Sequence, residues 1–145
     1  MKIFLRTVVI SYLFFLSAFY PSASAGADLV LKAVHFGKTS ENKEQVFLFL
    51  NAFQPPEIFA LQRDKPRVVC DLINAQLGDT VGEVIEIGGE LIQRIRIGKH
   101  ASPVPKIRVV VDLVPKESYS IEQRFFQKDN IFALIVCCGG ARNNN

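Results

Sequence analysis

The sequence PRVVCDL at residues 66–72 returns as KIRVVVDL at residues 106–113, with Arg-Val-Val-x-Asp-Leu as the shared core. Each copy is a short run rich in valine that lies close to proline and other turn residues, which is typical of a β-strand. A segment that repeats at an offset of 41 residues predicts two related structural halves. We expect two facing sheets, each built around one copy, because this arrangement buries both apolar faces.

The rest of the chain beyond the first 25 residues also has the pattern of short strands. Apolar runs rich in Val, Ile and Phe alternate with turn residues, and no apolar stripe keeps helical spacing for three turns. Regular short strands of this kind indicate an all-β sandwich of two roughly symmetric sheets. The predicted strands are residues 28–36, 45–52, 58–61, 67–72, 84–87, 91–98, 107–114, 119–126 and 131–137.

The N-terminal residues 1–25 have the three-part layout of a secretory signal peptide. Lys2 and Arg6 form a short basic region, residues 8–19 are almost entirely apolar, and Ala23-Ser24-Ala25 is a small-residue cleavage site. The apolar run is shorter than the roughly 20 residues that span a bilayer. We therefore predict cleavage, with an uncleaved membrane anchor as the alternative, and expect no stable anchor after cleavage.

Cleavage leaves a single small β domain at residues 26–138 and a disordered tail at residues 139–145. The leader carries two of the 17 basic residues and none of the 14 acidic ones, so the remaining chain has one more basic than acidic residue. This near-neutral charge argues against a nucleic-acid binder, which usually shows a basic stripe. It is compatible with a sugar ligand, which is recognised by hydrogen bonds and apolar faces.

Strand alternation places the charged residues of both copies on the face away from the core. These residues are Arg67 and Asp71 in the first copy and Arg108 and Asp112 in the second. Four residues of strand span about 13 Å, so the Arg and Asp of one copy cannot pair with each other. Three interpretations stay open, which are cross-strand ion pairs that set the register, pairing with a loop, or contacts with a ligand. The planar guanidinium favours a ligand carboxylate through two parallel hydrogen bonds.

The densest group of hydrogen-bond donors lies at residues 93–100. The two isoleucines of this run point inward, so Arg94 and Arg96 point outward in line with Gly98, and His100 lies beyond them. Such a cluster could hold an anionic or polyhydroxyl ligand. The alternative is a solvated strand face on which His100 is an ordinary loop residue.

No arrangement typical of an enzyme or a metal centre appears in the sequence. The two histidines, His35 and His100, are far apart, and neither His-x-x-x-His nor Cys-x-x-Cys occurs. A Gly-x-Ser-x-Gly nucleophile elbow and a phosphate-binding glycine loop are also missing. Of the three cysteines, Cys70, Cys137 and Cys138, at most two can form an internal bridge, and Cys70 has the pattern of a small buried hydrophobe. We expect no catalytic residue, no metal and no cofactor.

The order of these pieces resembles the AMIN domain, over about residues 29–136. The segments that carry the resemblance are DKPRVVCDL at 64–72, IQRIRIGKH at 92–100 and RVVVDL at 108–113, followed by the strand that starts at Tyr119. AMIN domains are N-terminal modules of periplasmic N-acetylmuramoyl-L-alanine amidases and of type IV pilus secretins. The resemblance implies a β-sandwich of two roughly symmetric sheets, a periplasmic location and peptidoglycan binding.

The resemblance also implies functional positions, although it does not separate ligand contacts from residues that hold the fold. Together with the donor cluster, the predicted ligand-binding residues are Arg67, Asp71, Arg94, Arg96, His100, Arg108 and Asp112, with Gly98 in line. Cys70 departs from the usual aliphatic residue, and Asn74 stands near the position where a glycine commonly follows the first motif.

No amidase or secretin domain follows in this sequence, so we expect a stand-alone, non-catalytic module that binds peptidoglycan in the periplasm. The alternative is a protein–protein adaptor in an envelope complex, with a secretin or a component of the division machinery as partner. In that case an edge strand of the sandwich would accept a strand from the partner.

Overall fold

The computed structural model describes residues 28–39, 42–116 and 118–139. The predicted signal peptide, residues 1–25, lies outside the described residues, as does almost all of the predicted tail. Within the described ranges there is no helix, and thus none long and apolar enough to cross a membrane.

The described residues form ten strands in two five-stranded sheets, which confirms the predicted all-β sandwich. The strands are β1 (Leu29–Lys38), β2 (Lys43–Leu50), β3 (Glu57–Leu61), β4 (Arg67–Ile73), β5 (Ala75–Leu77), β6 (Val84–Glu86), β7 (Ile92–His100), β8 (Lys106–Leu113), β9 (Tyr119–Phe126) and β10 (Ile131–Cys138). Sheet A has the order β5-β1-β2-β10-β9, and sheet B has the order β3-β4-β8-β7-β6.

The core lies between the two sheets and is built by alternating side chains. On β2 and β8 every second residue points inward and is buried, and on β4 the inward residues are Val68, Cys70 and Leu72. Together they produce a layer made mostly of leucine, isoleucine and valine. Each fully buried side chain of this kind stabilises the fold by about 1.5–3 kcal/mol. Cys70 belongs to this layer with 1% of its surface exposed, as predicted, and burial raises the pKa of its free thiol to about 12.

The placement of the two repeat copies differs from the expectation. They are not the centres of two facing sheets; β4 and β8 are antiparallel neighbours in sheet B, with Val69 directly opposite Val110. Antiparallel pairing sets the arginine of each copy against the aspartate of the other, Arg67 opposite Asp112 and Asp71 opposite Arg108. The alternating charges therefore make the two copies complementary to each other, a relation that facing sheets would not allow.

One short strand was not predicted. Strand β5 has three residues, too few to show an alternation, and pairs in parallel with β1. It follows Asn74, whose φ of 52° lies in the left-handed region and whose backbone N–H donates to the Pro105 carbonyl at 2.8 Å. Asparagine adopts this conformation more readily than most residues, which explains how it replaces the glycine usual near this position.

A buried carboxylate links the sheets at the start of β7. Glu44 of β2 is 1% exposed and accepts hydrogen bonds from three successive backbone N–H groups, those of Glu90, Leu91 and Ile92, at 2.7–3.1 Å. A side chain at Gly89 would collide with this carboxylate, since its Cβ would lie 2.5 Å from Glu44 Oε2. Gly89 therefore leaves the space for the carboxylate that holds the start of β7.

Candidate functional site

All the predicted ligand-binding residues lie on the outer face of sheet B, which is the side away from sheet A. The register places Phe59, Val69, Val110, Arg96 and Val84 side by side across the five strands. Next to this central row, one neighbouring row contains Arg67, Asp112 and Arg94. The neighbouring row on the opposite side contains Asp71, Arg108 and Gly98. One row further in the same direction, His100 lies opposite Lys106. The structure thus brings together seven residues that the sequence spreads over three strands.

An open groove of about 640 Å³ runs across this face. We call it the sheet B groove. Its walls include three large apolar side chains that are strongly exposed, Phe59 (42%), Leu61 (45%) and Val84 (53%). Its remaining lining is Arg67, Val69, Glu83, Arg96, Ile97, Gly98, His100, Arg108 and Val110. Apolar walls next to guanidinium groups suit a ligand that combines apolar patches with anionic or hydroxyl groups.

The first aspartate of the repeat is held in a buried ion pair. Asp71 is 2% exposed and accepts two hydrogen bonds from Arg108, from Nε and Nη2, both at 2.7 Å. Lys106 Nζ donates a third at 2.9 Å. The Arg108 hydrogen bonds, supported by Lys106, lower the pKa of Asp71 to about 2 although burial opposes this. The Arg108 guanidinium also lies 5.6 Å from the centre of the Phe59 ring, within the range of a cation–π contact.

The second aspartate has different partners. Asp112 accepts hydrogen bonds from Arg96 Nε and Nη2, both at 2.7 Å, and from Arg94 Nε at 3.0 Å. Its side chain is 14% exposed, whereas those of Arg94 and Arg96 are 44% and 46% exposed. Burial raises the pKa of Asp112, but the hydrogen bonds from Arg96 and Arg94 outweigh this and lower it overall.

Among the described residues, Arg67 has no carboxylate partner. It lies directly opposite Asp112, yet both oxygens of Asp112 are taken by arginines of β7. The contact that Arg67 makes is a long one, from Nη1 to the Lys65 carbonyl at 3.5 Å. Among the four arginines of this face, and counting only described residues as partners, Arg67 alone has no ion pair.

Gly98 and His100 shape the far end of the groove. His100 is exposed at the end of β7, and a Cβ added at Gly98 would lie 3.7 Å from its Nε2 atom. The imidazole therefore lies close to the position that Gly98 leaves empty, and the lack of a side chain at Gly98 keeps the groove open there. His35 is on β1 in the other sheet, and in the described part of the chain no group of three or more His, Cys, Asp or Glu residues could hold a metal ion.

Strands β4 and β8 carry the alternating Arg and Asp residues, and β7 carries Arg94 to His100. All three strands lie within the range of a family match. A family model of the AMIN domain matches residues 33–133. The chain belongs to the AMIN domain family. AMIN domains are non-catalytic and are generally peptidoglycan-binding or targeting modules of periplasmic and envelope proteins. Comparisons with curated proteins and with solved structures found no match.

Some residues of the groove were not predicted. Phe59 and Leu61 share one face of β3 with alternating spacing, and this was the available signal, but the sequence does not show that β3 lies beside β4. Lys106 has the same parity as Arg108 and could have been assigned to the same face. Phe126 is also exposed, at 46%, but it belongs to the outer face of sheet A and not to this groove.

Proposed function

We propose that this AMIN domain is a non-catalytic module that binds peptidoglycan in the periplasm through the sheet B groove. The observation that carries the proposal is the exposed trio Phe59, Leu61 and Val84 beside arginine side chains in one groove. These exposed apolar side chains lie on both edge strands, β3 and β6, and apolar walls around a few polar groups are typical of binding sites. Peptidoglycan offers matching chemistry, with sugar rings and short alkyl groups next to carboxylates.

The shape of the groove supports binding to a polymer more than tight capture of a small molecule. The groove is open along its length, and two of its cationic side chains, Arg96 and Arg108, are already paired with Asp112 and Asp71. A shallow site of this kind gives weak individual contacts. A repeating polymer compensates for weak contacts, because several linked modules gain avidity on it.

The proposal is tested by sedimentation with insoluble peptidoglycan sacculi, using the purified protein and its Arg96→Ala variant. We expect saturable pelleting of the wild type that soluble muropeptides compete away, and binding weakened about tenfold by Arg96→Ala, equivalent to about 1.4 kcal/mol. Arg124→Ala is the matched control, since Arg124 is an exposed arginine on sheet A with only a long ion pair to Glu122. Unchanged pelleting of a folded Arg96→Ala variant would show that the groove is not the binding site.

The alternative function is a protein–protein adaptor in an envelope complex, with a secretin or a division protein as the partner. The observation that favours it is β9, an eight-residue strand at the edge of sheet A that pairs only with β10 in the described chain. An open edge of this length can accept a strand from a partner. Absence of pelleting from a folded wild-type protein, together with copurification of one envelope protein, would favour the adaptor.

A further inference from the structure

We infer that Arg67 is the carboxylate receptor of the sheet B groove, and that the groove therefore selects peptidoglycan by the free carboxylates of its stem peptides. This inference rests on the proposed function and adds which part of the polymer the groove recognises. Three of the four arginines on the outer face of sheet B form ion pairs, and Arg67 forms none with a described residue.

The three other arginines are already engaged. Arg108 places Nε and Nη2 on the two oxygens of Asp71, and Arg96 does the same on Asp112, with Arg94 as a second donor. Arg67 has five N–H donors, as every guanidinium does. Its one described hydrogen bond is the 3.5 Å contact with the Lys65 carbonyl. Arg67 thus has the capacity for a two-point interaction with a planar anion.

The carboxylate that the register places opposite Arg67 is already occupied. Asp112 lies opposite Arg67 in the register, but its Oδ1 atom accepts from Arg96 and its Oδ2 atom accepts from both Arg96 and Arg94. A carboxylate that already holds three short charge-assisted hydrogen bonds gains little from a fourth donor. A ligand carboxylate has no such competition and would complete the pairing that the repeat leaves open.

The surroundings of Arg67 favour a peptide over a bare sugar. Arg67 is half-buried, and its cross-strand and same-face neighbours in the groove include Leu61 and Val69. Apolar neighbours reduce the local dielectric and strengthen a charge-assisted hydrogen bond. They also suit the methyl side chains that lie next to carboxylates in a stem peptide. A glycan strand without peptides would use the apolar walls and leave Arg67 without a partner.

The test compares three probes, which are intact sacculi, peptide-free glycan strands and sacculi whose carboxylates have been converted to amides. For the wild type we expect binding to intact sacculi at least tenfold tighter than to the other two. For Arg67→Ala we expect about tenfold weaker binding to intact sacculi and no remaining preference among the probes. Arg67→Lys, which keeps the charge without the planar fork, should fall between them, and Arg124→Ala should behave as the wild type.

The outcomes separate the inference from the proposed function. Equal wild-type binding to intact, amidated and peptide-free material would overturn the inference while peptidoglycan binding stands. Full binding of a folded Arg67→Ala variant to intact sacculi would also overturn it. No wild-type binding to any probe would overturn the proposed function and the inference with it. The comparison of intact with amidated sacculi needs only the wild type, so it decides the matter even if a variant fails to fold.

Discussion

The two copies of Arg-Val-Val-x-Asp-Leu have nearly the same sequence, yet their aspartates have different environments. Asp71 lies between Glu57 of β3 and Arg108 of β8, whereas Asp112 lies between Arg67 of β4 and Arg94 of β7. The Asp71 side chain is 2% exposed and that of Asp112 is 14% exposed. The arginines that pair with Asp112 are also more exposed than Arg108, which pairs with Asp71. The difference comes from the strands that flank β4 and β8. Strand β3 places an acidic residue next to Asp71, whereas β7 places arginines next to Asp112.

This difference divides the work of the two copies. Asp71 of the first copy pairs with Arg108 of the second copy and with Lys106, and these ion pairs hold β4 against β8. Around Asp112 there are three arginines for two carboxylates, since Glu86 lies 4.0 Å from Arg94, and Arg67 has no ion pair with any described residue. We therefore expect mutations at Asp71 and its partners to change stability, and mutations at Asp112 and the arginines around it to change binding.

The largest expected effect is that of Asp71→Asn, which leaves Arg108 and Lys106 without their counter-ion. Removing one partner of a buried ion pair typically costs about 3–5 kcal/mol, and because Arg108 and Lys106 keep some contact with solvent we expect about 3 kcal/mol here. Urea unfolding at neutral pH measures it, with Asp79→Asn as an exposed control. A loss of unfolding free energy as small as that of the control would show that Asp71 does not stabilise the fold.

Acid should reproduce part of this loss without a mutation. The pKa of Asp71 is about 2 in the fold against an ordinary value of 3.8, so the folded state favours the ionised form. The stability that this adds is complete above the ordinary pKa and disappears as the pH falls from about 4 through 2. At about 1.4 kcal/mol per pKa unit, it amounts to about 2 kcal/mol.

The measurement is the difference in unfolding free energy between the wild type and Asp71→Asn, followed from pH 6 down to pH 2. This difference should shrink by about 2 kcal/mol over the acid limb, because the variant has no carboxylate to protonate at this position. A constant difference across that range would mean that Asp71 is not held ionised by Arg108.

The faces of the charged residues could be predicted from the sequence, because strand alternation depends only on local spacing. Val68, Cys70 and Leu72 point inward, so Asp71 has to point outward, and the structure agrees. The position of the copies could not be predicted in the same way. A repeat shows that two segments are alike, but whether they face each other or lie side by side depends on the order of strands distant in sequence.

The choice of ion-pair partners was beyond the sequence for a related reason. The register of β7 against β8 shifts between Ile92 and Arg94, and only after this shift does Arg94 lie opposite Asp112. Glu44 shows the same limit, since its inward position follows from its spacing to Val46, but its partners are backbone N–H groups that no side-chain pattern encodes. Arg67 has no described ion pair for the same reason, because the register of β7 places Arg94 and Arg96 on the carboxylate of Asp112.

The smallest expected stability effect is that of Asp112→Asn, and it is the sharpest test of the comparison. Arg94 and Arg96 remain hydrated when the carboxylate is lost, and the new amide still accepts a hydrogen bond, so we expect a loss of about 1 kcal/mol or less that shrinks further at high salt. Binding should move in the opposite direction, because two arginines are released beside Arg67 and the groove becomes more cationic. Urea unfolding at low and high salt and sacculus sedimentation measure the two effects. A stability loss equal to that of Asp71→Asn, with binding unchanged, would mean that both copies serve the fold alone and that the arginine excess around Asp112 has no part in recognition.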